Sequence, residues 1–242
     1  QGADGRIYLI VLDDLHTAAL RSQQVKRAAR QFIEKFVGAN DTAAVVYTGG
    51  RSDAAQDFTN NQRLLLRAVD KFMGRKLRST TLNRIDEELR TRNQREAGSG
   101  ERIDDPDVRE RGMQARSALE TVEKLSEYLG GIRGRRKALV FFSEGIDYDI
   151  NDVFNNPDAT TIMDATRDLI AAATRANVAV YGVDPRGLTT MGDDLIEVQA
   201  FPQDPTVGIG VNSFSDELRL SQDSLRVLSQ ETGGFAAVNS ND

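Results

Sequence analysis

Four short runs constrain this chain more than anything else in it: IYLIVL at 7–12, AAVVYT at 43–48, ALVFF at 138–142 and VAVYGV at 178–183. None alternates apolar with polar residues, so none suits a sheet with one face in water. A strand that is apolar on both sides needs cover on both faces, which is the habit of a parallel sheet. Between the runs the apolar residues fall at helical spacing. Val25, Ala28, Ala29, Phe32, Ile33 and Phe36 form one such face, closed by Gly38. Leu64, Leu65, Ala68, Val69 and Phe72 form the next, behind a cap at Asn60 or Asn61. Ala115 to Leu129 and Ile162 to Ala173 carry two more, and SQDSLRVLSQET, Gly233-Gly234 and FAAV close the chain with a helix, a stop and a short strand. This alternation predicts an α/β fold: a doubly wound, mostly parallel sheet with helices on both faces. The stretch near 55–58 fits one short antiparallel edge strand.

Two segments interrupt the pattern. From Gly74 to Asp107, sixteen of 34 residues are charged, so 74–107 reads as a charged excursion from the core. Residues 188–215, with scattered Gly, Pro and Asp, read as a second, irregular one. No internal repeat and no linker appears, and the 242 residues are expected to form a single domain.

Lys and Arg number 31 against 37 Asp and Glu, a net charge of −6, which argues against a general nucleic-acid surface. The cationic run GIRGRRKA at 131–138 reads as a solvated loop before a strand. With no cysteine, disulfides, thiolate metal sites and Cys nucleophiles are excluded. No stretch approaches the ~20 apolar residues that span a bilayer, and the QGADGR start looks like a trimmed terminus.

In an open α/β sheet, function gathers at the C-terminal ends of the strands. Three strands here end in carboxylates: Asp13 and Asp14 after the first, Glu144 after the third, Asp184 after the fourth. Neighbouring acids repel unless a cation or hydrogen-bond donors offset them. Two offsets are open: a hard divalent ion held through oxygens, or backbone N–H groups accepted at the start of the next helix.

These residues resemble a von Willebrand factor type A domain, a Rossmann-like fold, and within that family the bacterial VWFA-related subgroup. Asp13-Asp14-Leu15-His16-Thr17 stands where the family has D-x-S-x-S, and Ser143-Glu144-Gly145 where it has a T/S-D-G turn. NDTAAVVYTGG, FFSEGID, VDPRGL and LRVLSQETGGFAAV add to the likeness. The resemblance implies a metal-ion-dependent adhesion site for Mg²⁺ or Mn²⁺, with Ca²⁺ less suited, completed by an acidic side chain of a partner protein. It implies Asp13, Thr17 and Glu144 as metal ligands, with Asp14 in a non-standard role. The site is degenerate: Leu15 cannot ligate, Glu144 replaces an aspartate, and Thr80, Thr81 and Ser117 lie outside the G-T motif that would supply the last hydroxyl. A metal-free, hydrogen-bonded crevice is the other expectation. The lone histidine, His16, is expected in a partly exposed loop, and Asp147, Asp149 and Asp152 in a solvated rim.

The resemblance implies a non-enzymatic protein-interaction or adhesion module, exported from a bacterial cell, with no catalytic residue and no further cofactor. The alternative is a Mg²⁺-dependent phosphoryl-transfer enzyme, since SEGID followed by VDPRG is similar to the toprim fold. VDPRG supplies only one aspartate, however. The D-x-D, G-x-G-x-x-G and G-x-S-x-G motifs of aspartyl phosphatases, dinucleotide binders and serine hydrolases are absent at the places they require.

Overall fold

The computed structural model describes residues 5–79, 81, 83, 106–148, 158–187 and 211–238. Six strands form one sheet in the order β3-β2-β1-β4-β5-β6. They are β1 (Ile7–Leu12), β2 (Thr42–Tyr47), β3 (Gln56–Thr59), β4 (Lys137–Phe142), β5 (Ala179–Val183) and β6 (Ala236–Ala237). β1 runs parallel to both β2 and β4, with Leu12 level with Tyr47 on one side and Phe142 on the other. β4, β5 and β6 continue in parallel. Only β3 is antiparallel, one residue beyond its expected position. The chain has the doubly wound, Rossmann-like α/β architecture read from its sequence.

Five α-helices lie among the described residues: α1 (Ser22–Phe36), α2 (Gln62–Asp70), α3 (Pro106–Gly130), α4 (Ala159–Ala176) and α5 (Val211–Glu231). Alternate residues of β1 supply two separate cores. Tyr8, Ile10 and Leu12 pack with Val25, Ala29 and Ile33 of α1 and with Leu65 and Val69 of α2. Ile7, Leu9 and Val11 pack with Leu119 and Val122 of α3, Leu169 and Ala173 of α4, and Leu225 and Leu228 of α5. All six β1 residues are buried, and each large side chain so buried contributes roughly 1.5–3 kcal/mol. Asn61 caps α2 by accepting from the Arg63 N–H, as the sequence suggested.

Four details differ from the sequence reading. Leu64 and Phe36, expected to face inward, are exposed. β5 is not covered on both sides: Val180 and Gly182 are buried, whereas Ala179, Tyr181 and Val183 are only half-buried. The second excursion ends earlier than expected, because α5 already begins at Val211. The first does not leave the core at once. Gly74–Lys76 runs back across the β1–α1 loop, donating from Gly74 N to Ser22 Oγ, from Arg75 N to the Asp14 carbonyl and from Lys76 N to the Thr17 carbonyl. Gly74 makes this approach possible, since a Cβ there would collide with the Thr17 carbonyl. The remainder of both excursions, 84–105 and 188–210, lies outside the described residues.

Candidate functional site at the strand ends

β1 and β4 are adjacent, so the turns after Leu12 and Phe142 meet at the C-terminal rim of the sheet. The two aspartates diverge there, as successive residues of a turn must. Asp13, fully buried, turns towards β4: Ser143 Oγ donates to its Oδ2 at 2.6 Å and Thr48 Oγ1 to its Oδ1 at 2.6 Å. The N–H groups of Leu15 and His16 donate to Oδ1 at 3.2 Å, and His16 Nδ1 lies 3.0 Å from Oδ2. Asp14, equally buried, turns towards β2, where Gly49 N donates at 2.7 Å and Arg75 closes an ion pair at 2.7 Å.

Glu144 reaches over the β1–α1 loop. Its Oε1 accepts from Ala18 N at 2.9 Å, and its Oε2 from Arg21 Nη1 at 3.1 Å. Lys76 Nζ sits 3.5 Å from that same Oε2 and 3.4 Å from Asp147 Oδ2. Arg111 flanks Asp147 at 3.5 Å. On the next strand end, Arg186 chelates the Asp184 carboxylate and donates to the Glu144 carbonyl at 2.6 Å. The Glu144 turn depends on Gly145 (φ +86°), where a Cβ would collide with the Ser221 carbonyl.

Burial opposes the charges of Asp13, His16, Lys76, Glu144 and Asp147, and their partners overrule it. Burial would raise the Asp13 carboxyl, but the His16 charge and the His16, Ser143 and Thr48 hydrogen bonds hold it below the usual range. Burial would strip the proton from His16, but the Asp13 charge and hydrogen bond, with help from Asp147, raise its pKa despite the nearby Lys76. Glu144 and Asp147 are likewise held low against burial, chiefly by Lys76. Lys76 keeps its proton against burial because both carboxylates face it. The rim is a network of charges that neutralise one another.

Asp13, Asp14, Thr17 and Glu144 therefore gather at one rim, and Asp13 and Glu144 engage different donors there. Two expectations are corrected. His16 is not a partly exposed loop residue; it is 3 % exposed, drawn in by Asp13. Asp147 does not sit in a solvated rim; it is buried by its pairs with Lys76 and Arg111. Asp149, Asp152 and Thr80 lie outside the described residues. Thr81 donates to Glu217 at 2.9 Å, and Ser117 is exposed on α3. The sequence reading missed Lys76, Arg75, Arg21 and Arg186, the first three of which stand in a loop or at a helix start with no motif around them. The arginine of VDPRG was the one available signal.

The donor set can be tested against a divalent ion. Such an ion takes about six oxygens at roughly 2.0–2.6 Å. Thr17 Oγ1, buried and without a hydrogen-bond partner, is an oxygen a cation would accept. The carboxylates are not so disposed: the Asp13 oxygens receive donors from five groups, and the Glu144 oxygens face an amide, a guanidinium and an ammonium. Among the described residues no three acids or histidines gather as a metal-holding group. As arranged, these residues do not fit a resident divalent ion, because the Lys76 ammonium stands between Glu144 and Asp147.

Against this rim opens a cavity of about 410 Å³, lined by Arg21, Lys76, Arg78, Glu144, Arg186 and Glu217 among others. Among the described residues no helix is long and apolar enough to cross a membrane. A scan of protein-family models finds no match, and a search of curated proteins finds none either. Among solved structures, the chain is similar to the conserved hypothetical protein BatB from Bacteroides thetaiotaomicron. The two share 15 % identity over 98 % of this chain and 92 % of that one, with a TM-score of 0.45.

Proposed function

We propose that the chain is a non-enzymatic protein-interaction module of von Willebrand factor A type. It receives an acidic side chain of a partner at the strand-end crevice, and lysine and arginine supply there the positive charge that a divalent ion supplies in the family the sequence resembles. The observation that carries this reading is the cavity itself. Among the described residues, Arg21, Lys76, Arg78 and Arg186 line it beside Glu144 and Glu217. Lys76 and Arg186 bring positive charge to this crevice in a chain whose net charge is −6, and charge-assisted hydrogen bonds to an entering carboxylate in a partly buried site are the strong ones.

The phosphoryl-transfer alternative finds less support. It needs strand-end acids free to hold Mg²⁺, whereas Arg186 engages both oxygens of Asp184 and Glu144 is committed to Arg21 and Lys76.

Amide-detected NMR titration with N-acetyl-glutamate N-methylamide tests the reading. Saturable shifts confined to residues around Arg21, Lys76 and Arg186 are expected, unchanged by EDTA and at least tenfold weaker in Lys76→Met. Equal shifts from the glutamine analogue, or shifts that require Mg²⁺ or Mn²⁺, would overturn it. So would Mg²⁺-dependent phosphatase or phosphodiesterase turnover that disappears in Glu144→Gln.

A further inference from the structure

The cavity at the strand ends is not charged all round. Three elements meet there, and each brings a charged residue with a leucine beside it in sequence. They are Leu20 with Arg21 on the turn before α1, Leu77 with Lys76 on the returning segment, and Leu218 with Glu217 on α5. All six line the same space of about 410 Å³. Leu77 and Leu218 are half-buried, whereas Leu20 is 75 % exposed. Its turn, Ala19–Arg21, is a single 3₁₀ turn with no buried residue, and Glu144 fixes it from both sides. Ala18 N donates to Glu144 Oε1, and Arg21 Nη1 to Glu144 Oε2. A lone exposed leucine is ordinary. One fastened beside a buried ion-pair network, at a cavity with two further leucines in its wall, is not.

We infer that the cavity receives two side chains of one extended partner segment together. One is the acidic side chain of the proposed function, on which this inference rests. The other is a large aliphatic side chain two positions away, seated against Leu20, Leu77 and Leu218. The volume asks for the second group: pockets of roughly 300–1,000 Å³ take whole small ligands, and a carboxylate on its short stem fills only part of such a space. The spacing follows from the backbone. Side chains of an extended segment alternate between its two sides, so those entering one opening together stand two residues, or about 7 Å, apart, within a cavity that as a sphere would be about 9 Å across. A helix, about 10–12 Å wide, is too broad to follow its side chains in. Charge complementarity assigns the two ends: the carboxylate goes to Lys76 and Arg186, and the aliphatic group to the leucines. That second contact adds affinity in proportion to the apolar area it covers, with no further charge to desolvate.

Methyl-detected NMR titration of the 242-residue chain with N-acetyl-Leu-Ser-Glu-Ser-Leu-amide tests the inference. This peptide offers a leucine two positions to either side of the acid and so serves both chain directions. It is expected to shift the Leu20 methyl signals saturably, and to bind at least tenfold tighter than the same peptide with alanines in place of both leucines. That preference should fall below threefold in Leu20→Ser, a change at an exposed position outside the core. Equal binding of the two peptides through their glutamate would overturn the inference and leave the proposed function standing. So would a preference that Leu20→Ser does not diminish. A peptide with glutamine in place of the glutamate that binds as well as the parent, or absence of binding by all three, would overturn both. Hexanoate binding as tightly as the leucine peptide would make a small amphiphilic acid the ligand and overturn the inference too.

Discussion

Asp13 and His16 show what one residue can do to its neighbours. A protonated imidazole beside a buried carboxylate is a pair whose two halves titrate at opposite ends of the pH scale. The His16 pKa is raised, so its stabilisation is complete below about pH 6.5, the unfolded value, and fades as pH climbs through the higher native value. The Asp13 pKa is lowered, so its stabilisation is complete above about pH 3.9 and fades as pH falls through the lower native value. Both are whole between about pH 4 and 6.5. His16→Gln keeps a donor near Asp13 but removes the charge. It should cost about 2 kcal/mol at pH 6 and flatten the alkaline decline in stability. Urea unfolding from pH 5 to 9 measures both, and parallel pH profiles for variant and wild type would show that His16 is neutral.

At the scale of elements, the segment Gly74–Lys76 does more than the sequence promised. Two of its N–H groups are fixed to the β1–α1 loop and the third to Ser22 at the start of α1, and that attachment is what delivers Lys76 between Glu144 and Asp147. Gly74→Val should lift it off the Thr17 carbonyl, at a cost of about 1–3 kcal/mol. Lys76, 13 % exposed in the side chain, should then become several times more reactive towards an amine-acetylating reagent, read by mass spectrometry against Lys26 as internal standard. Unchanged labelling would mean that the ion pairs, not the backbone, hold the lysine in place. The same segment shows where sequence reasoning reached its limit. Strands β1, β2 and β4 were legible because unbroken apolar runs have few other fates, and Asp13, Asp14 and Glu144 followed from strand-end position. Lys76 was not legible, because a lysine in a charged stretch looks solvated until backbone pairing, which leaves no pattern of side chains, returns it to the core. Phe36 and Tyr181 misled for the converse reason: spacing shows that a face is apolar, not which partner covers it.

For the molecule as a whole, the strand-end network bears on how stability responds to ions. A ligand present at a thousand times its dissociation constant adds about 4 kcal/mol to a folded protein, which for a domain of this size raises Tm by roughly 8–16 °C. A resident Mg²⁺, Mn²⁺ or Ca²⁺ would announce itself on that scale. The expected outcome here is a shift below about 1 °C with 10 mM of any of the three or with EDTA, by differential scanning calorimetry. Lys76 has a further consequence for any such module. A counter-charge carried on a covalent arm cannot be starved, chelated or exchanged for a competing metal. Its occupancy is the same in a depleted medium as in a rich one, and control over it passes from the composition of the surroundings to the conformation of three residues of backbone.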